Sequence, residues 1–375
     1  MDLEFTDDQQ ELRRSVRSVL ASECGPALVR EMVEKGTGAE RLWAKMVELD
    51  WPALTVPEAA GGLGLGFVEL AVVLEEMGRS LAPGPFLATV SQFAPAIREA
   101  GSPEQQSRFL GAVAAGTITG ALAVAEEDGD WSAASILTEA TPDGAGWILS
   151  GTKQYVADGA TAGEVVVAAR RPGTKGDDGI GLFVVPAVDL KASPVQTIDA
   201  TLRLATVALE GVRVPADRVL GPVGAAAVPL RRALEEATAA ITMSTVGTCD
   251  AIFTMTLDYA KEREQFGVPI GSFQAVKHKL ADLFVAVSRA RALAYFAVLT
   301  IAEDDDRRAL AVSMAKAAAG DCQRLVVQDG LQLHGGIGYT WEHDLHLYLK
   351  RAKACDGQLG TAAAHRSRVA ELIGL

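Results

Sequence analysis

At 375 residues and 49% hydrophobic composition, the chain is long enough for two or three packed subdomains around large cores. Its formal net charge of -13 leaves no basic stripe for a phosphate backbone, which excludes nucleic acid as an expected partner. Cys24, Cys249, Cys322 and Cys355 lie far apart with no CxxC pair, and the acidic N-terminus has no apolar signal core. Reduced thiols and a cytoplasmic location are therefore expected rather than a zinc site, a disulfide framework or export.

Thr6 with Gln9 has the form of a capping box, opening a helix that carries Leu12, Val16 and Leu20 at four-residue spacing. Further helices are expected over 41–49 and 66–81, the latter with Phe67, Leu70, Leu74 and Met77 on one face. Ser102, Pro103 and Gln105 supply an N-cap, an N1 proline and a capping-box partner for another. The pattern predicts an N-terminal helical domain over 1–118.

From there β-branched runs of strand length alternate with turn signals, at 120–126, 146–157, 164–170, 181–186 and 202–214. Nothing helical separates them, so the spacing suits hairpins in a central β domain, 119–224, and not a Rossmann unit. Segments 230–263, 274–303, 307–334 and 344 onward return to helix, with lengths that suit a four-helix bundle over 225–375. The most apolar window, 284–301, contains Arg289 and Arg291. A buried bundle helix is expected there, and no membrane span.

One stretch interrupts the helical C-terminal part: GLQLHGGIGYTWEHDLHLYLKRAK, residues 330–353. Gly335, Gly336 and Gly338 crowd together, which ends a helix and lets the backbone approach a ligand, an anion being the natural choice. His334, His343 and His346 nearby find no convincing further ligand set, and no metal is expected.

Together with LEGVRVPADRVLG (209–221) and EREQFGVPIGSFQAVKHKLADL (262–283), this stretch makes the whole chain resemble the acyl-CoA dehydrogenase family. The narrower likeness is to an actinobacterial-type branch acting on bulky acyl-CoA thioesters, including steroid fragments. The resemblance implies an α+β chain in the acyl-CoA dehydrogenase fold: an N-terminal helical domain, a central β-barrel-like domain and a C-terminal four-helix bundle that builds the oligomer. It implies FAD as cofactor, an acyl-CoA substrate and an electron-transfer flavoprotein as electron acceptor. Arg263 would pair with the FAD pyrophosphate, Phe266 would offer an aromatic face, and Gln274 would add a polar contact. Gln332, Gly335 and Gly336 match family positions that reach the FAD of a neighbouring subunit.

The chain also departs from the family. Where a TEPxxGSD-like segment supplies hydroxyls to the flavin, AEEDGDWSA (125–133) stands here, with Ala125 lacking a hydroxyl and Asp130 at the aspartate position. Tyr155 to Asp158 match the second flavin-facing strand only loosely. Leu359 stands where the catalytic glutamate of an EGT triplet is common, followed by Gly360 and Thr361, which can still approach FAD. The other family position for that base falls on Ala237 or Ser244. Glu235 and Glu236 lie one to two residues from Ala237 and, with Asp356, are the remaining bases, although beside Arg231 and Arg232 a solvated helix face is the plain expectation for the two glutamates.

Two functions follow from the resemblance. One is a subunit without the usual glutamate that completes the FAD site of a companion, possible assemblies being a dimer, a tetramer or an α2β2 complex. The other is a self-sufficient homo-oligomeric dehydrogenase with a relocated base. An acyl-CoA oxidase-like flavoenzyme is a third reading.

Overall fold

The computed structural model describes residues 5–375. They form two compact units. One comprises the chain up to Gly36, Phe67–Ala82 and Thr238–Leu375, the other Thr37–Gly66 and Pro83–Ala237.

The first unit is helical. Helix α1 (Asp7–Glu23) opens on the capping box expected at Thr6, with Gln9 N–H donating to Thr6 Oγ1 at 3.2 Å and Thr6 N–H to Gln9 Oε1 at 3.1 Å. Such caps contribute about 1 kcal/mol each. The short α2 (Pro26–Lys35), which the apolar periodicity missed, begins on an N1 proline and ends on left-handed Gly36. Helix α3 (Ala39–Glu48) belongs to the other unit, and α4 (Phe67–Arg79) packs on α1.

In the second unit, α5 (Phe86–Ala88) continues through a π-helical turn (Thr89–Phe93) into α6 (Ala94–Ala100), a run too evenly buried to show a helical period. Helix α7 (Pro103–Ala114) starts on the second predicted capping box, Ser102 with Gln105.

The strands β1 (Gly120–Ala123), β2 (Glu139–Asp143), β3 (Gly146–Ala157), β4 (Glu164–Arg170), β5 (Ile180–Pro186), β6 (Lys191–Val195), β7 (Leu204–Val214) and β8 (Val219–Leu220) form an 8-stranded sheet in the order β6-β7-β3-β2-β4-β5-β8, with β1 beside β4. The expectation of hairpins holds for β2–β3, β4–β5 and β6–β7, and fails for β1, which pairs with β4 in parallel. The short β2 and β6 escaped the sequence reading because prolines and charges break their alternation, and β8 because it is two residues long.

The unbroken apolar run in β4 has a direct cause. Val166 and Ala168 face one core with Phe93, Ile97, Phe109 and Leu230, while Val165, Val167 and Ala169 face another with Leu149, Phe183 and Val207. A strand covered on both faces needs no polar residue at alternate positions.

Helix α8 (Ala227–Glu262) is followed by a hairpin of β9 (Glu264–Gln265) and β10 (Val268–Pro269), and then by α9 (Gln274–Ala302), α10 (Arg308–His334), α11 (Leu345–Gly357) and α12 (Ala362–Leu372). Helix α10 packs on α9, α11 and α12, and α4 packs on α9.

By length and composition α9 could cross a membrane, yet its Arg291 is built into a bundle ion network. There the buried Glu75 carboxylate accepts from Arg291 Nε at 2.7 Å, Arg13 Nη2 at 2.9 Å and Tyr295 Oη–H at 2.6 Å. A buried carboxylate bonded on this scale rigidifies the packing of α1, α4 and α9. All four cysteines are free and buried, and the bundle brings the thiols of Cys249 and Cys322 into hydrogen-bond contact despite their separation in sequence.

Candidate functional site

The link between α8 and α9 is built outward. Gln265 pairs with Val268, so Phe266 and Gly267 form a two-residue hairpin loop, both at positive φ (57° and 80°), as a type I′ turn requires. Phenylalanine is a poor choice for that conformation, which costs an L-residue roughly 1–2 kcal/mol, and its ring is 94% exposed, touching only Phe273 edge-on at 6.1 Å. At the base of the hairpin the Arg263 N–H donates to the Tyr259 carbonyl at 2.8 Å, and the Arg263 carbonyl accepts from Ile270 at 2.7 Å. The Arg263 side chain is exposed, and among the described residues it has no ion-pair partner. Gln274, the first residue of α9, is exposed on the far side of the hairpin in sequence.

The glycine stretch ends α10 as expected. Gly335 takes φ 62° and ψ -140°, a conformation open only to glycine, and a Cβ on Gly335 or Gly336 would meet nothing within 4 Å. A short 3-10 turn, Gly335–Tyr339, follows, with Gln332 exposed one turn earlier.

Behind the turn sits His334, 3% exposed, its Nδ1–H donating to the Gly330 carbonyl at 2.8 Å. Its ring stacks on Tyr259 at 4.6 Å between centroids and 19° between planes, and His343 meets both edge-on at 5.0 and 6.5 Å. Burial holds the imidazole below its ordinary pKa against the pull of the Gly330 carbonyl, so it is neutral. His343 Nδ1 accepts the Leu345 N–H at 3.1 Å, and no three metal-capable side chains converge among the described residues.

The Tyr259–His334 stack brings the end of α8 next to the glycine turn. An uncompensated guanidinium, an open glycine backbone and an exposed aromatic ring suit a diphosphate attached to a flat heterocycle. Sequence reasoning named these three features and His334, and missed the stack, because Tyr259 lies outside the motifs and 75 residues earlier in the chain.

The loop between α11 and α12 keeps its shape without a carboxylate. Leu359 is at φ 56° and 5% exposed, and Gly360 follows at φ 96°. The Leu359 carbonyl accepts from His365 Nε2 at 2.8 Å, and the Cys355 carbonyl from Lys316 Nζ at 2.6 Å. Lys316 is pushed down to about 8 by burial, which the Cys355 thiol and the Asp356 carboxylate only partly offset. Thr361 is the N-cap of α12, its hydroxyl oxygen accepting the Ala364 N–H at 3.3 Å while its own proton can still be donated. Asp356 is half-buried, with Oδ1 enclosed, unbonded and turned toward Gly320 on α10.

Glu236 departs from the solvated face expected of it. It is 5% exposed and ion-paired with Arg98, whose charge it sustains against burial. Arg232 pairs with Glu99 at 2.8 Å and Arg231 with Asp177 at 2.6 Å. Glu235 is half-buried, and the neighbouring Ala237 and Ser244 are both buried.

In the β unit Ala125 uses its carbonyl on the Gln154 N–H at 2.8 Å, and Asp130 is occupied by Ser132, accepting its N–H at 2.8 Å and its hydroxyl at 3.0 Å. Tyr155 is 40% exposed at φ 57°. A buried pair absent from the sequence reading lies below: Lys153 donates to Glu126 at 2.7 Å and to the Val124 carbonyl at 2.9 Å, and Glu126 also takes the Thr138 N–H and hydroxyl. Lys153 showed in the sequence only as one charge in a β-branched strand.

Family models match the chain in three consecutive stretches: the acyl-CoA dehydrogenase N-terminal domain over 6–117, the middle domain over 121–212 and the C-terminal domain over 227–374. The acyl-CoA dehydrogenase IpdE2 of Mycobacterium tuberculosis is 33% identical over 348 residues, covering 92% of this chain and 91% of that one. Among solved structures, a steroid acyl-CoA dehydrogenase described as Tcur3481-Tcur3483 is 33% identical with a TM-score of 0.87, covering 98% of each chain. The ChsE4-ChsE5 complex from Mycobacterium tuberculosis is 29% identical with a TM-score of 0.90, covering 100% of each. Members of this family are FAD-dependent oxidoreductases acting on CH–CH bonds, and with all three domains present in order the chain belongs to the acyl-CoA dehydrogenase family.

Proposed function

We propose that this chain is the subunit of a heteromeric acyl-CoA dehydrogenase that completes the FAD site of a companion chain, with an electron-transfer flavoprotein as electron acceptor. The observation that carries this reading is Leu359: the loop that would present a catalytic carboxylate is folded, left-handed and closed, with a side chain that cannot take a proton. Bound FAD supplies the acceptor for the β-hydrogen and two electrons of an acyl thioester.

This chain's own contribution is to bind and orient. Arg263 meets the diphosphate, Gln332 and the Gly335–Gly336 backbone border it, and Phe266 and Gln274 complete the arm. The missing hydroxyl at Ala125, the loose match of Tyr155 to Asp158 and the engaged Asp130 weaken a flavin site within the chain itself. The similarity to ChsE4-ChsE5 and to Tcur3481-Tcur3483, the latter a steroid enzyme, supports a companion chain and a bulky acyl group.

A second reading, a self-sufficient dehydrogenase, is favoured by one observation: Asp356 Oδ1 has no partner, whereas Glu236 is neutralised by Arg98. The visible spectrum of the purified chain separates the two readings. Absence of flavin until a second acyl-CoA dehydrogenase-like chain is co-expressed is expected. A stoichiometric flavin in the chain alone, bleached by an acyl-CoA and no longer bleached in Asp356→Asn, would establish the second reading instead.

A further inference from the structure

We propose that Tyr259 and His334 are positioning residues for FAD, a stacked clamp that fixes Arg263 relative to the Gly335–Gly336 backbone. This rests on the reading above that these groups face the cofactor. The two halves of the arm come from distant parts of the chain, and the hairpin carrying Arg263 is exposed from residue 261 to residue 269. A backbone so exposed does not hold its own distance to the glycine turn. The stack does. Tyr259 gives its carbonyl to the Arg263 N–H at 2.8 Å, so the ring and the start of the hairpin move together. His334 immediately precedes Gly335, is tied to Gly330 through Nδ1, and its Cβ would lie 3.2 Å from a Cβ on Gly338. The ring plane and the turn are therefore one rigid piece, and His343 closes the edge of the stack at 5.0 Å from His334.

Core packing alone does not account for this choice of residues. His334 Nε2 is buried with no partner, and an orphaned buried polar atom destabilises the fold. A leucine would fill the same space without that penalty, but it would not offer a flat face to Tyr259 or a donor to Gly330. What the imidazole adds is orientation, and a binding constellation needs its groups held to within about 0.5 Å.

The test titrates FAD into the flavin-stripped, purified assembly and follows flavin fluorescence, with the thermal midpoint of the flavin-free protein as a control. Tyr259→Leu and His334→Leu are each expected to weaken FAD binding by about tenfold or more, while Tyr259→Phe, which keeps the stacking face, stays within about twofold of wild type. Tyr259 is half-buried, so its variants decide the question even if His334→Leu does not fold. Wild-type affinity in Tyr259→Leu alongside weakened binding in Arg263→Ala overturns the clamp. Wild-type affinity in Arg263→Ala overturns the FAD-arm reading itself.

Discussion

Gly247 on α8 lies against the carbonyl of Glu75 on α4 so closely that a Cβ at residue 247 would sit 1.9 Å from that oxygen. The crossing is reciprocal: a Cβ on Gly78 of α4 would lie 2.0 Å from the Ser244 carbonyl oxygen. Alanine at either site gains up to about 1 kcal/mol of helix propensity, but the obstacle is backbone and cannot rotate away. Gly247→Ala and Gly78→Ala should each lower stability by about 2 kcal/mol net, within the usual range for overpacking. Chemical denaturation midpoints of the purified chain check this, and an unchanged or raised midpoint would refute it.

Glu126 and Lys153 form a buried pair whose loss should be asymmetric. Glu126→Gln leaves the Lys153 ammonium buried among neutral acceptors with no counter-charge, and breaking such a pair costs about 3–5 kcal/mol. The double change Glu126→Gln with Lys153→Met should cost less than Glu126→Gln alone. A double-mutant cycle by urea denaturation measures it, and a double variant less stable than the single one contradicts the assignment.

Asp158 makes stability depend on pH. Burial lifts its carboxyl from the ordinary 3.8 to about 6, against the pull of Arg203, which donates Nε–H at 3.0 Å. Because the folded pKa is the higher one, the protonated form favours folding. The contribution is complete below about 4 and is lost as pH rises through about 6. Relative to wild type, Asp158→Asn should therefore gain on the order of 2–3 kcal/mol between pH 4 and pH 7. A difference that stays flat over that range would show that the carboxyl titrates normally.

Phe266→Asn separates folding from assembly. Asparagine tolerates the left-handed turn better than phenylalanine, so the isolated chain should be unchanged in stability or gain up to about 1 kcal/mol. If the exposed ring completes a companion's site as proposed, co-purification with that companion and FAD uptake should fall by about tenfold. Undiminished uptake would remove Phe266 from the cofactor arm.

Much of the fold was legible in the sequence because capping boxes, long apolar periods and strand-length β-branched runs are local signals. Thr6 with Gln9 and Ser102 with Gln105 cap helices as read. The parallel pairing of β1 with β4 was not legible, since β4 is buried on both faces and carries no register in its pattern. Motif residues such as Arg263, His334 and Gly335 could be named from sequence, but the stacking of Tyr259 on His334 could not, since no spacing relates the two rings. Glu236 was misjudged for the same reason. Its partner Arg98 is distant in sequence, on a different helix, where no local spacing could mark it.

The Leu359 loop owes its shape to its neighbours. Half-buried His365 holds the Leu359 carbonyl, and buried Lys316 holds that of Cys355 in the last turn of α11, so both anchors of the loop act on backbone and not on the side chain at residue 359. The position behaves as a socket whose geometry outlasts a change of side chain. Reprogramming this subunit would then be a matter of chemistry at one residue, with no remodelling of the protein around it.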